Sequence, residues 1–358
     1  MRVLRLNGKK TFVAVWLVAL VICASVLANA ASYKSAFLTA DVSGVAPFTD
    51  SKLINPWGIS FSSTGPFWVS DNNSGFSTLY DGTGKPQSLI VTIPGPGGAK
   101  GTPTGTVFNS TTGFVVSQSG KSGPAAFLFD SEDGTITGWS PTVNATVAII
   151  AVDNSASGAV YKAMELALNG SSTLLYVCNF FTAKVEVYDS NFAPKTLSGT
   201  FTDPRLPSGF APHNIRLINN QLYVAYAKQN ATKTDAVFGP GLGFVDIFDL
   251  NGNFVKRFAN KGKLNAPWGL ALATANFGTF SNDILVANLG DGKITAYDPT
   301  TGAVKGQLAD STGKVLAFPG LWGLMFGNGA SGGTKDVLYF TAGPGGYAHG
   351  RFGSITAQ

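Results

Sequence analysis

Histidine occurs twice and glutamate three times in 358 residues, and only 13% of the chain is charged. That scarcity excludes a disordered chain or a coiled coil, both of which need abundant charge. Two histidines cannot by themselves complete a zinc site, which takes three or four protein ligands. Cysteine also occurs twice, and Cys23 lies in an N-terminal apolar run. Cys178 is then alone in the rest of the chain, which leaves no intrachain disulfide there. Basic runs are missing too. Arg2, Arg5, Lys9 and Lys10 carry most of the net charge of +5, leaving 21 bases against 20 acids beyond residue 30. No nucleic-acid partner is expected from that balance.

The first 30 residues read as a secretory signal peptide. Basic residues come first, then the apolar run "TFVAVWLVALVICASVL" (11–27), then "ANA" (28–30), a small-x-small cleavage site. The alternative is an uncleaved anchor, but the run falls a little short of the ~20 residues that span a bilayer. The Ile before Cys23 makes a poor lipoprotein site. Residues 31–358 are expected as one domain, secreted to the periplasm or the cell exterior, without stable membrane insertion and monomeric.

What is abundant is glycine, with 44 residues, and aromatic side chains at 12%. This mix suits many short strands joined by tight turns. Two repeats organise them. "INPWGISF" (54–61), "NAPWGLAL" (265–272) and "PGLWGLMF" (319–326) share Trp-Gly-aliphatic. "FWVSDNNSGFSTLYDGTGK" (67–85), "LYVCNFFTAKVEVYDSN" (175–191) and "ILVANLGDGKITAYDPTTG" (284–302) place an Asp or Asn at a strand end, ten residues before the Asp of a Tyr-Asp pair. Looser copies occupy 113–130, 222–249 and 337–355. Six units of roughly 50 residues fall in the range of propeller blades. The expected fold is all-β: a six-bladed β-propeller of four-stranded antiparallel blades. The Trp-Gly strand is innermost, and the N-terminal "SAFLTADV" (35–42) supplies the missing outer strand of the last blade and closes the ring. Glycine lets the chain reach the crowded centre, and Trp57, Trp268 and Trp322 wedge between blades as packing residues, or line a ligand funnel with their edges.

On these stretches the chain resembles an uncharacterised family of secreted propellers, often ending in a PEP-CTERM tail, and more distantly the NHL-type and streptogramin-lyase-like six-bladed propellers. The resembling segments are "NPWGISF", "YAKQNATKTDAVFGPGLGFVDIFD", "NAPWGLALA" and "LYFTAGPGGYAHGRFGSI". The resemblance implies fold and export and carries no activity with it. The chain departs from the family in ending "RFGSITAQ", so anchoring by a sorting tail is not expected.

The loops entering the inner strands and following the second strands should open on one face. This would collect Trp57, Asp71, Asn179, Asn214, Trp268, Asn288 and Trp322 as candidate ligand contacts, along with the long excursion 228–243 and the loop 343–350. Strand-end Asp or Asn also commonly hydrogen-bonds its own turn. His349, His213 and Glu165 are the candidates for acid–base chemistry. The lactonase and streptogramin-lyase propellers that the fold resembles rely on a metal with carboxylates or on a histidine. Here only Glu165, among three glutamates, sits in an inner strand. No cofactor is called for, and a divalent metal enters only under the enzyme reading. Two functions therefore stand: a binding scaffold for a glycan, peptide or protein partner, and a metal-assisted lyase or lactonase at the channel mouth.

Overall fold

The computed structural model describes residues 32–358; the expected signal peptide lies outside them. Among the described residues, six sheets with antiparallel blade strands follow one another in chain order around one axis, and a two-stranded hairpin forms a seventh. Blade one runs outward through Pro56–Ser60, Phe67–Asp71, Phe76–Tyr80 and Pro86–Thr92. Blade five repeats the order with Pro267–Leu272, Ile284–Asn288, Ile294–Tyr297 and Val304–Gln307. In blade six the fourth position belongs to Tyr33–Ala40, antiparallel to Arg351–Ala357 with Ser35 opposite Ile355. The six-bladed propeller and its closure by the N-terminal strand are as the repeat pattern implies.

Two blades depart from the repeat. In blade two the stretch 113–130 is not a second and third strand. Val115–Gln118 and Lys121–Pro124 pair only with each other as an inserted hairpin, and the sheet resumes at Phe127–Ser131. Blade three has Tyr161–Asn169, Ser172–Asn179 and Lys184–Tyr188 and, among the described residues, no regular fourth strand. Only a single bridge, Tyr188 with Pro194, marks its place.

Burial explains why the strands read as near-continuous apolar runs rather than as strict alternation. Successive residues face opposite sides of a blade, and here both sides are covered. Ile284 and Val286 pack against blade four with Val245 and Tyr223, whereas Leu285 and Ala287 pack against blade six with Leu321 and Phe340. One such apolar layer fills each of the six gaps between neighbouring blades. A seventh lies on the axis and holds Trp57, Trp268 and Trp322. The tryptophans therefore do not wedge between adjacent blades. They meet each other at the centre.

Glycine makes that centre passable. A Cβ on Gly269 would lie 2.5 Å from the backbone oxygen of Trp322, and one on Gly323 would lie 2.7 Å from that of Trp57. Each Trp-Gly strand thus touches its neighbour's backbone at the residue after the tryptophan. The turn into the inner strand also needs a left-handed residue: Asn55 has φ 49°, Ala266 φ 48° and Gly320 φ 71°. Asparagine and glycine adopt that conformation at little cost, and alanine does so less readily.

Candidate functional site

Superposing the strand registers gives the site its logic. Pro56 lies opposite Asp71, Tyr161 opposite Asn179, and Pro267 opposite Asn288. The following residue is then equivalent in every blade: Trp57, Thr104, Lys162, His213, Trp268 and Trp322. Five of these converge. Trp57 and Trp322 stack with centroids 3.4 Å apart, and Trp268 meets both edge-on at 6.2 and 5.8 Å. The His213 ring lies 6.0 Å from that of Trp322. Lys162 holds its ammonium 5.1 Å from the Trp57 centroid and 5.6 Å from that of Phe180. By area burial, each tryptophan contributes on the order of 4–6 kcal/mol to this plug.

Below the plug the axis narrows to a cavity of about 30 Å³ beside Gly58, Gly105, Gly269 and Gly323, room for a single water. Above it a cup of about 370 Å³ opens, floored by Trp57, Trp322, Lys162 and His213 and walled by loop residues. That volume is typical of small-ligand sites.

The wall is one continuous polar chain. Trp322 Nε1 donates to Asn55 Oδ1 at 3.0 Å, and Asn55 Nδ2 donates to Asn72 Oδ1 at 3.2 Å. Asn72 Nδ2 reaches Glu132 Oε2 at 2.9 Å. Glu132 is ion-paired with Lys162, which also contacts Asp235 at 3.4 Å. Opposite, Asn73 Nδ2 donates to the backbone oxygen of Tyr347 at 2.8 Å, and the Tyr347 ring lies 5.9 Å from Trp322. Tyr347 sits at φ 71°, in the left-handed region, although it is not glycine. Such backbone strain concentrates at functional positions. The Trp57 Nε1 hydrogen is buried and has no partner among the described residues.

Lys162 is 1% exposed and its ammonium faces two carboxylates of different exposure, Glu132 at 23% and Asp235 at 69%. His213 is brought down to about 3, first by burial and second by the Lys162 charge. Its Nδ1 lies 2.9 Å from the backbone oxygen of Pro267, an acceptor only, so the proton sits on Nδ1 and the ring is neutral. An imidazole this weakly basic is a poor general base near neutral pH. Burial raises the Tyr347 phenol to about 12, so it remains a neutral hydroxyl.

The other sequence candidates are placed elsewhere. Asp71 is fully buried and accepts from Thr78 Oγ1 at 2.7 Å; burial drives its carboxyl well above the usual range. Asn179 Oδ1 accepts from the Thr182 amide at 3.2 Å, and Asn288 bridges the Asn265 amide and the Lys263 oxygen. Both tie loops of their own blade. Asn214 donates to the Trp268 oxygen at 2.5 Å, joining inner strands four and five. Glu165 accepts from the Leu217 amide at 3.1 Å with Arg216 3.5 Å away. His349 bonds Asp41 Oδ2 at 2.8 Å beside Arg351, so it clasps the N-terminal strand. His213, Glu165, His349 and Asp71 share no partner, and no described group of three His, Cys, Asp or Glu is arranged to hold a metal ion.

Asp235 and Tyr347 fall within the loops 228–243 and 343–350 expected on this face, and Lys162 and Glu132 are additions to the expected set. Aligning "YKAMELAL" and "APHNIRLI" to the Trp-Gly strands would have put Lys162 and His213 on the tryptophan ring. Glu132, in the turn "SEDG", carries no comparable signal.

No family model matches the chain. Among solved structures it is similar to a streptogramin B lyase (TM-score 0.53, 10% identity, covering 91% of this chain and 98% of that one). It is also similar to a glucose dehydrogenase (0.52, 10%, 91% and 100%). A Bacteroides thetaiotaomicron protein of unknown function gives 0.56 at 9% identity, covering 92% and 76%. At such identities the likeness speaks for the propeller fold alone. Two uncharacterized proteins of Acanthamoeba polyphaga mimivirus are nearer in sequence. R648 is 32% identical over 298 residues, 82% of this chain and 73% of the relative, and L690 is 33% identical over 301 residues, 82% and 79%. The chain belongs to the family of these mimivirus proteins.

Proposed function

We propose that this chain is an exported, non-enzymatic β-propeller that binds a carbohydrate in the cup at the mouth of its channel. The observation that carries this reading is the cup itself. It is a closed-bottomed hollow the size of one or two sugar rings, walled by Asn55, Asn72, Asn73, Glu132 and Asp235 and flanked by the half-buried ring of Tyr347. Hydroxyl groups both donate and accept, so one sugar can meet carboxylates, carboxamide N–H groups and the neutral His213 together. A rigid propeller offering loop residues at a concave end suits recognition. Export rests on the leader's basic start, apolar run and small-residue cleavage site, and on the resemblance to secreted propellers.

The metal-assisted lyase or lactonase reading has weaker support. It needs His349, His213, Glu165 and Asp71 around one point, and each has its own separate set of partners.

Calorimetric titration with a panel of neutral and acidic mono- and disaccharides tests the binding reading. Saturable binding to at least one sugar is expected, weakened tenfold or more in Asp235→Ala and in Tyr347→Ala. Absence of binding across the panel, or affinity unchanged from the unmodified protein in both variants, would overturn it.

A further inference from the structure

We infer that blade three is an acceptor for a foreign extended peptide, which adds as its missing outer strand. Five blades carry a regular fourth strand, and blade three ends at Lys184–Tyr188. The chain that would form it starts in place, with the Lys195 amide donating to the Val187 oxygen at 2.8 Å. It then leaves for blade four, where the Gly199 amide bonds Asn251 and the Phe201 amide bonds Gly252. Beyond Lys195 the edge of Lys184–Glu186 faces a groove of about 790 Å³, bounded by Leu197, Phe201 and Asn154.

Backbone alternation fixes what that edge offers. Neighbouring residues of a strand direct their N–H and C=O groups to opposite sides. The Val187 oxygen points outward to Lys195, so the Val185 N–H and C=O point outward too. No described residue pairs with them there. An open edge of this kind is a template for strand addition. The fold already uses the same device: blade six takes its outer strand from Tyr33–Ala40, at the far end of the sequence.

The groove also states its preference. Lys184 and Lys195 line it, both are exposed, and neither makes an ion pair among the described residues. The Glu186 carboxylate is already occupied by Tyr161, Tyr188 and Asn179 at 2.8, 2.8 and 2.7 Å. Val185 and Leu197 supply an apolar floor. The fitting occupant is a β-branched segment with acidic residues at its ends. This site is separate from the cup and stands whether or not a sugar binds there.

The probe is a fluorescent peptide alternating valine and threonine with glutamate at both ends, titrated by anisotropy into the purified protein. A lysine-ended peptide and one methylated on alternate amide nitrogens serve as comparisons. The glutamate peptide should bind at least tenfold more tightly than either, with the preference over lysine reversed in K184E/K195E. Val185→Ala trims the groove floor but keeps the outward N–H and should weaken binding only partly. Val185→Pro also removes that N–H, at an edge where proline is tolerated, and should abolish binding while the melting profile is kept. Equal binding of the methylated peptide would overturn the inference. So would absence of binding by the glutamate peptide, or a dimer in sedimentation that Val185→Pro dissolves, since the occupant would then be a second copy.

Discussion

Lys162 stands above the ring of Trp57, with its ammonium 5.1 Å from the centroid, because the two residues hold the same position in different inner strands. A cation–π contact of this kind contributes roughly 0.5–2 kcal/mol, more as it is desolvated. It also fixes the charge that Glu132 and Asp235 answer. Replacing Lys162 with Met would leave Glu132 unpaired in a largely buried setting. Loss of one partner of a buried pair costs about 3–5 kcal/mol, and the partial exposure of Glu132 reduces that to about 2. Urea unfolding should show this loss, with K162M/E132Q recovering at least half of it. No recovery would mean that Lys162 matters only for packing.

At the axis, sterics dominate. Gly323→Ala would bring a methyl within 2.7 Å of the Trp57 oxygen, which neighbouring backbone cannot yield. A destabilisation of about 2–3 kcal/mol is expected. Ala266→Gly should act oppositely, because Ala266 is held at φ 48°. Relief of that strain should stabilise by about 0.5–1 kcal/mol. Thermal melts of both variants provide the check.

Ring closure depends on Asp41, which accepts from His349, the Gly350 amide and Arg351. Burial pushes its carboxyl up, but those three partners outweigh burial and hold it below the ordinary value. Asp41→Ala should cost about 2–3 kcal/mol, since Arg351 then loses its carboxylate. Hydrogen exchange should speed up selectively at Tyr33–Ala40 and Arg351–Ala357. Uniform acceleration across all blades would contradict a local latch.

Asp130 gives the pH dependence. Burial raises its carboxyl to about 7, against the hydrogen bonds from Thr104 and the Gly105 amide. Its folded value lies above its unfolded value, so its contribution is complete below pH 4 and is lost as pH rises to about 7. Asp130→Asn carries no such proton. Its stability relative to the unmodified protein should therefore rise between pH 4 and 8, by on the order of 4 kcal/mol. A constant difference over that range would mean that Asp130 is ionised when folded.

The propeller was legible because the Trp-Gly pair recurs in three inner strands, at contacts with a neighbour's backbone such as those of Gly269 and Gly323. The floor of the cup was not. Lys162 and His213 stand in two of the three blades whose inner strands lack the Trp-Gly pair, so the register marker vanished where the chemistry changed. The tryptophans were expected between blades. Their indoles instead fill the axis, because the gaps are already filled by residues such as Phe67, Phe129 and Phe340. Blade three's open edge gave no sign, since "NFAPKTLSGTF" differs from an outer strand only in where its amides find partners.

The most direct test of the cup as the ligand site is fluorine NMR of protein labelled with 5-fluorotryptophan, titrated with the saccharide panel. Six tryptophans are present, and Trp57→Phe and Trp322→Phe would assign the two in the cup. The account predicts that those two resonances shift saturably while Trp68 and Trp139, packed between blades one and two, stay fixed. Shifts confined to Trp68 and Trp139, or none with any sugar, would contradict it.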